Sequence, residues 1–420
     1  MQELVLGIDI CDDYSQISYY NPQIFDVENI GLTDGEGSCM IPTVICKERG
    51  KDSWYIGEEA CHCALYGRGV MVDELVKLAG KGGTATIEGI KYTAEDLLQI
   101  FIRQILEIPM ARLGASEVAA VVFAFQDKSS DLMDTIIQVT DGMGIPRDRV
   151  HMANHSEAYL FYVISQKKDL WINQSCLFDL SETGLHYYEL NVVRGRRPPV
   201  VEVRHEELED RFNLEILEKP EGRKLGDTIL TPCAERLLQK KIVTSVFLTG
   251  KGFERSEWAA GFLQLVCNKR RTFAEPGLFA KGAAYMACDT LQETSSYPYV
   301  CLCEGRLSST ISMQVNHEGR ERQLVLASAG SDWYEARASA SFILDNTNQL
   351  EFMVTPVGKG RQTKLVISLA EFPARPNKTT RVEVIAAFLS ENRVSIRVID
   401  RGFGEFFPES GQMIREDFQI

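Results

Sequence analysis

The sequence lacks any apolar run long enough to cross a membrane, and its first residues lack a basic leader and a small-residue cleavage site. A surplus of positive charge is also missing, since the formal net charge is -14. Nucleic acids and anionic membranes bind non-specifically through clustered Lys and Arg, so this net charge argues against both as partners. The sequence therefore predicts a cytoplasmic protein with no nucleic-acid partner and no membrane partner.

A cysteine framework is missing too, although the chain has eleven cysteines. The closest pairs, Cys61 with Cys63 and Cys301 with Cys303, are two positions apart, which is not the spacing of a zinc knuckle. Scattered cysteines of this kind are typical of reduced thiols in a cytoplasm. The composition, with 45% apolar and 25% charged residues, is that of a globular protein. The length of 420 residues predicts two or three domains.

The texture of the sequence changes near residue 293. Before it, strand-like and helix-like patterns alternate, for example the apolar run at residues 118–125 and the helical pattern that follows Thr93. From residue 297 onward, helical periodicity disappears and about seven short alternating runs follow one another. We therefore expect a mixed α/β domain at residues 1–293 and an all-β sandwich at residues 297–420.

Two strand-like runs in the first region end in an aspartate that precedes a short turn and a return strand. These are Asp9 in residues 7–15 and Asp179 in residues 178–184, about 170 residues apart. An aspartate at such a turn can hold a hydrated Mg²⁺, and the turn amides beside it can cradle phosphates. One such motif is weak support, because aspartate is a common turn former, but two in compatible surroundings are less expected by chance.

These motifs resemble those of the DnaK-type heat-shock chaperones, within the wider actin-like fold of chaperones and sugar kinases. Gly7, Ile8 and Asp9 with Ser15 resemble the first phosphate hairpin of that family, and residues 178–180 resemble the second. Other segments follow in the family's order: the early strand pair at 41–44 and 56–60, the catalytic-lysine segment at 76–80, the first connecting region at 121–125 and 154–158, the adenosine motif at 246–250 and the next helix at 275–284. Residues 366–400 resemble the chaperones' peptide-binding sandwich.

The resemblance implies a two-lobed actin-like ATPase fold, with lobes at about 1–174 and 175–293, and ATP or ADP with Mg²⁺ as the cofactor. It implies that residues 297–420 bind a protein or an extended peptide. By the same resemblance, Asp9, Lys77 and Asp179 are the catalytic groups, and Asp9 and Asp179 would also carry the Mg²⁺. The nucleotide would be contacted by Asp12, Asp13, Ser15, Ser181, Thr183, Gly184, Gly250, Lys251 and Gly252.

The turns themselves depart from the family. Cys11, Asp12 and Asp13 replace a glycine and two hydroxyl residues, and residues 181–183 replace two glycines of the second turn. A carboxylate about 5 Å from a phosphate costs about 3 kcal/mol, or roughly a hundredfold in affinity. His155 stands where the family has an acidic residue, and its simplest interpretation is a helix cap or a core histidine.

Two functions stay open from the sequence. The leading expectation is a DnaK-like protein with weak or absent nucleotide binding and little or no hydrolysis, whose β domain binds a protein partner. The alternative is a slow ATP-dependent chaperone-type ATPase in which Asp12 and Asp13 hold the metal. The alternative to a catalytic role for Lys77 is that of an ordinary surface lysine. The chain ends soon after the sandwich pattern, so the helical lid of the chaperones is expected to be absent.

Overall fold

The structure is a computed structural model that describes residues 3–31, 39–195, 197–208, 213–357 and 360–420. The chain forms two compact units, one made of Met1–Gly195 with Glu202–Pro298 and the other of Arg196–Val201 with Tyr299–Ile420. The first unit is mixed α/β, and the second is all β. The fold class expected from the sequence therefore holds at this level. The second unit begins after Pro298 and also includes a short segment that we had placed in the first domain.

The first unit alternates strands and helices. Its strands are β1 (Glu3–Ile10), β2 (Tyr14–Asn21), β3 (Asp26–Ile30), β4 (Ile41–Pro42), β5 (Ile45–Glu48), β6 (Trp54–Ile56), β7 (Gly69–Val72), β8 (Thr84–Ile87), β9 (Ile90–Thr93), β10 (Glu117–Phe125), β11 (Val150–Asn154), β12 (Gln174–Ser181), β13 (Gly184–Val193), β14 (Val200–Leu208), β15 (Val243–Thr249) and β16 (Arg271–Ala274). Its helices are α1 (Gly57–Leu65), α2 (Leu75–Gly80), α3 (Ala94–Leu113), α4 (Ser130–Gly142), α5 (His155–Ser165), α6 (Pro220–Leu238), α7 (Ala260–Val266) and α8 (Leu278–Thr290).

Two sheets of this unit share one strand order. The first runs β11-β10-β1-β2-β3, and the second runs β16-β15-β12-β13-β14. In the first sheet β1 is antiparallel to β2 and parallel to β10, and β10 is parallel to β11. In the second sheet β12 is antiparallel to β13 and parallel to β15, and β15 is parallel to β16. The carboxyl ends of β1 and β12, which carry Asp9 and Asp179, therefore occupy equivalent positions in the two sheets. This repeat positions the candidate site.

Helix α8 packs against β1 and α5 at backbone distance. A Cβ added to Gly7 would lie 2.1 Å from the carbonyl oxygen of Ala280 and 2.2 Å from the amide nitrogen of Ala284. A Cβ added to Gly282 would lie 1.9 Å from the carbonyl oxygen of Ala158 in α5. Because no side chain fits in these places, the small-residue face that the sequence shows on this helix serves close packing.

The second unit consists of antiparallel sheets. Its strands are β17 (Val300–Leu302), β18 (Ser309–His317), β19 (Arg320–Ala327), β20 (Arg337–Ile343), β21 (Gln349–Pro356), β22 (Thr363–Ser368), β23 (Arg381–Ser390), β24 (Arg393–Gly402) and β25 (Met413–Gln419). One four-stranded sheet runs β19-β18-β21-β22 and the other β20-β23-β24-β25. Buried side chains of both sheets, such as Phe352 and Ile396, belong to one hydrophobic core.

A buried ion pair lies at one end of β24. The guanidinium of Arg375 donates two hydrogen bonds to the carboxylate of Asp400, at 2.7 and 2.8 Å. The same carboxylate accepts backbone N–H bonds from Gly402 and Ser410, and Arg375 also donates to the carbonyl oxygen of Pro408. The carboxylate therefore accepts four hydrogen bonds although it is out of contact with water.

No helix in the described part of the chain has the length and apolarity needed to cross a bilayer.

Candidate functional site

Asp9 and Asp179 line the same small cavity. Each lies near the carboxyl end of its strand and is about 95% buried, with exposed fractions of 4% and 5%. The cavity has a volume of about 40 Å³, which is room for one or two water molecules. We call it the aspartate cavity. The structure thus brings together the two carboxylates that the sequence singled out.

Cys11 and His155 join Asp9 on the wall of this cavity. Nε2 of His155 lies 2.8 Å from Oδ1 of Asp9. Sγ of Cys11 lies 3.8 Å from the same Oδ1 and 3.7 Å from the same Nε2. Burial alone would lower the pKa of His155, but the charge and hydrogen bond of Asp9 outweigh burial and raise it. Burial and the carboxylate of Asp9 raise the pKa of the Cys11 thiol well above its usual value.

The position of His155 is fixed by the start of α5. Asn154 is the N-cap residue: its side chain accepts a hydrogen bond from the amide of Glu157, and the Glu157 carboxylate accepts one from the amide of Asn154. Glu157 is also paired with Lys128 at 2.8 Å, in a buried contact. The imidazole of His155 stacks on the ring of Phe279, with centroids 3.8 Å apart. His155 is therefore the first residue of the helix, and the cap is its neighbour.

Asp179 faces an excess of negative charge. Burial raises its pKa, the nearby His155 opposes this, and the carboxylates of Asp13 and Asp9 add to it, so the pKa reaches about 7. Among the described residues, Nδ1 of His155 is a further buried polar atom with no hydrogen-bond partner. Buried groups perturbed in this way are more common at functional sites than elsewhere.

The two carboxylates of the first turn, residues 11–13, bind backbone amides of other segments. Oδ1 of Asp12 accepts a hydrogen bond of 2.9 Å from the amide of Lys77 in α2. Oδ2 of Asp13 accepts one of 3.4 Å from the amide of Glu182 in the second turn, residues 181–183. Burial raises the pKa of both carboxyls, and these backbone donors partly offset the rise. Asp13 therefore connects the two turns across the site.

A much larger cavity adjoins the aspartate cavity and shares Asp13, Thr183 and Lys251 with it. Its volume is about 1270 Å³. Eight acidic and four basic side chains are among its lining residues, so we call it the acidic cleft. The acidic ones are Asp12, Asp13, Glu74, Glu182, Glu215, Glu218, Glu254 and Glu257, and the basic ones are Lys77, Arg223, Lys251 and Arg255. Such a lining favours cations over phosphates.

The lysines of the acidic cleft are paired with its glutamates. Nζ of Lys77 lies 2.8 Å from Glu74 on the half-exposed first turn of α2. Nζ of Lys251 lies 2.9 Å from Glu182 and 4.6 Å from the centre of the Tyr14 ring. Neither ammonium has a contact with Asp9 or Asp179 in the described hydrogen bonds and ion pairs. The predicted catalytic lysine is thus apart from the predicted catalytic carboxylates.

The hydroxyl residues of the predicted site divide into two groups. Ser181 and Thr183 bond to each other at 2.7 Å and line the aspartate cavity. Ser15 is fully buried, and its hydroxyl is 2.8 Å from that of Thr43. Of the predicted nucleotide-binding residues, Ser15 therefore has no face toward either cavity.

The glycines of the predicted site lie where a side chain would not fit. Gly250 has a φ of +88°, and a Cβ there would lie 2.4 Å from Oδ1 of Asp179. A Cβ on Gly252 would meet the side chain of Leu180 at 2.4 Å. Gly184, with a φ of 142°, starts β13 and lines the acidic cleft. Gly250, from the segment that resembles the adenosine motif, also lines a third cavity of about 240 Å³, beside Glu275 and Pro276.

Sequence reasoning had not placed Cys11 and His155 in one cluster, nor residues 213–223 on the wall of the cleft. Cys11 could be suspected because it follows a motif aspartate by two positions. His155 is 146 residues from Asp9, and only the pairing of β10 with β1 and β11 brings the start of α5 to the end of β1. A local pattern in the sequence cannot predict such a contact.

Two family models match the chain. The family of unknown function DUF5716, C-terminal, matches residues 26–304, and the domain of unknown function DUF8552 matches residues 306–420. A comparison with curated proteins finds no match. Neither family description names a nucleotide or an activity. Because the first match covers more than half of the 420 residues, the chain belongs to the family of unknown function DUF5716, whose C-terminal part it contains.

Proposed function

We propose that the first unit is a degenerate DnaK-like domain of the actin-like fold that binds nucleotide weakly or not at all, and that the second unit binds a protein partner. The observation that carries the proposal is the use of backbone donors by the first turn. The amide of Glu182 belongs to the turn that resembles the second phosphate hairpin, and the amide of Lys77 belongs to the segment that resembles the catalytic-lysine segment. Each of them binds a carboxylate of the chain itself. The domain would thus hold an internal substitute for the phosphates.

The dimensions of the aspartate cavity support the same proposal. Ligand pockets usually measure about 300 to 1,000 Å³, whereas the space between Asp9 and Asp179 is about 40 Å³. The aspartate cavity alone would be too small for a triphosphate with Mg²⁺, so the adjoining acidic cleft would have to receive part of it. Each turn carboxylate would also oppose a phosphate by about 3 kcal/mol at a separation of about 5 Å. Both features would weaken the binding of a nucleotide in this place.

The repeated strand order supports the fold part of the proposal. A two-lobed actin-like domain requires two sheets with one shared strand order and an aspartate near the end of the first strand of each. The sheets β11-β10-β1-β2-β3 and β16-β15-β12-β13-β14 have this arrangement. Lys77, which the resemblance makes catalytic, would be a surface lysine of α2. ATP or ADP with Mg²⁺ would be at most weak ligands. A cytoplasmic location stays a prediction from the scattered cysteines.

The edges of the β unit support a protein partner. Each of its four edge strands exposes one large apolar side chain: Val325 in β19, Val366 in β22, Ile343 in β20 and Met413 in β25. An unpaired strand edge can add a strand from a partner, with backbone hydrogen bonds for affinity and side-chain contacts for specificity. We propose that the two sheets form a sandwich that receives an extended peptide in this way.

Nucleotide titration of the full chain tests the first part. We expect no heat of binding with Mg-ATP or Mg-ADP for the wild type, and a gain of binding when Asp12→Thr and Asp13→Thr are combined. The matched control combines Glu215→Gln with Glu257→Gln, which removes the same charge from the acidic cleft and leaves the turn amides occupied. A wild-type dissociation constant in the micromolar range, with phosphate release lost in Asp9→Ala and Asp179→Ala, would establish the alternative, a slow ATPase.

Peptide titration tests the second part. Short apolar peptides are added to the full chain and followed by fluorescence anisotropy, with Val366→Lys and Ile343→Lys as edge variants. Saturable binding that these variants weaken supports strand addition. No binding, together with a concentration-dependent dimer in sedimentation, would show that the edges serve self-association.

A further inference from the structure

The cluster of Asp9, Cys11 and His155 contains the three ligand types that bind zinc in proteins. Their ligand atoms all lie within 4.8 Å of one another. A thiolate, an imidazole and a carboxylate together select a transition metal of zinc type, since Mg²⁺ and Ca²⁺ prefer oxygen ligands alone. We propose that these three residues bind one Zn²⁺ ion in the aspartate cavity, without a nucleotide.

The spacing of the ligand atoms matches a tetrahedral ion with small adjustments. Bond lengths of about 2.3 Å to sulfur and about 2.0 to 2.1 Å to nitrogen and oxygen put the tetrahedral edges at about 3.5 Å from sulfur and about 3.3 Å between nitrogen and oxygen. The distances from Sγ of Cys11 to Nε2 of His155 and to Oδ1 of Asp9 are 3.7 and 3.8 Å. Only the distance of 2.8 Å between Nε2 and Oδ1 has to open, as their hydrogen bond gives way to two bonds to the ion.

The cluster is held in place before any ion binds. Asp9 is fixed in β1 between β10 and β2, and His155 is fixed by the capping of α5 and by stacking on Phe279. Cys11 follows Asp9 by two residues at the start of the first turn. Ligands that need little reorganisation lose less free energy on binding a metal, which is why such preorganisation favours a site.

The surroundings supply charge and room for the ion. Asp179 faces the same cavity, and the carboxylate of Asp13 also lines it, so a divalent cation would offset a local excess of negative charge. The volume of about 40 Å³ accommodates an ion with a water as its fourth ligand. This inference does not depend on the proposed function, because the three ligands would act whether or not the acidic cleft takes a nucleotide.

Cobalt substitution of the full chain gives a direct test. The chain is freed of metal by dialysis against a chelator and titrated with Co²⁺. We expect a thiolate-to-cobalt charge-transfer band in the near ultraviolet and visible d–d bands of tetrahedral intensity, saturating at one ion per chain and displaced by Zn²⁺. A wild-type chain that shows no thiolate band with Co²⁺ would overturn the proposal without any variant.

Variants locate the site. Cys11→Ser should abolish the charge-transfer band, and His155→Gln should weaken Zn²⁺ in competition with a chromophoric chelator by at least about 100-fold, since even partners of ligands contribute about 10- to 100-fold. Cys39→Ser is the matched control: this half-buried cysteine lines the neighbouring cavity, and its loss should change nothing. Equal losses in Cys39→Ser and Cys11→Ser, or unchanged Zn²⁺ affinity in Cys11→Ser with its far-ultraviolet circular dichroism intact, would contradict the assignment.

Discussion

Arg375→Ala should destabilise the second unit strongly, because it removes the cation paired with Asp400, whose carboxylate has no contact with water. The variant deletes both charge-assisted hydrogen bonds to Asp400 and the bond to the carbonyl of Pro408. Two backbone N–H groups still bind Asp400, but they carry no full charge. Breaking a buried pair in this way typically costs about 3 to 5 kcal/mol.

The loss can be read as a shift in melting temperature. With an unfolding entropy of about 2.1 cal/mol/K per residue, a unit of roughly 120 residues should melt about 12 to 20 °C lower. Scanning calorimetry of the full chain resolves the transition that moves. Arg401→Ala is the matched control, since Arg401 pairs at 2.7 Å with Glu383 on the surface, and its loss should shift the melting far less. Equal shifts in the two variants would refute the reasoning.

The pH dependence of this unit follows from the same pair. Burial alone would raise the pKa of Asp400, but hydrogen bonds from Arg375, Ser410 and Gly402 outweigh burial and hold the pKa well below its usual value. A carboxyl with a depressed pKa stabilises the folded state above its unfolded pKa of about 3.9, and this contribution is lost as the pH falls through the folded pKa. The difference in stability between wild type and Arg375→Ala should therefore narrow below about pH 4, and a constant difference would contradict the assignment.

Further predictions concern the first unit. Gly7→Ala should destabilise it by several kcal/mol in urea unfolding, because the new Cβ would lie 2.1 Å from a backbone oxygen of α8, whereas Gly80→Ala, with nothing within 4 Å, should be neutral or stabilising. Iodoacetamide at neutral pH should label the exposed Cys267 first and Cys11 far more slowly, because burial and nearby carboxylates raise the pKa of Cys11; mass spectrometry would show the order, and faster labelling of Cys11 would contradict it. Gly250→Ala should lower the melting temperature of the first unit, since the residue has a positive φ and its Cβ would contact Asp179.

Buried strands and capped helices could be predicted from the sequence. The apolar run at 118–125 is β10, and Thr93 caps α3 as its pattern indicates. Strands with charged faces could not be predicted from the sequence. β14 has no continuous apolar run that would mark it as a strand, because only Val200, Val201, Val203 and Leu208 of its nine residues are buried. β25 was missed because, as an edge strand, it alternates exposed with half-buried residues and has no buried side chain.

The site was readable only in part. The strand-Asp-turn motifs identified Asp9 and Asp179, since both aspartates are local features of the sequence. The bonds of Asp12 to Lys77 and of Asp13 to Glu182 join positions 65 and 169 residues apart, so the contacts depend on how α2 and the second turn pack. The same holds for His155 and Asp9. Contacts of this kind require tertiary structure, and local spacing does not reveal them.

The contact of α8 with β1 and α5 has a consequence for how the site tolerates change. Gly7 lies two residues before Asp9, and Ala158 lies three residues after His155, and both are seated on α8 backbone with no side chain between. Side chains can change rotamer, whereas peptide groups in contact cannot yield without moving a whole element. The distance between the backbones of Asp9 and His155 is therefore set by the contacts of β1 and α5 with α8. Exchanges of cavity-lining side chains should alter the chemistry of the site while leaving this backbone distance unchanged.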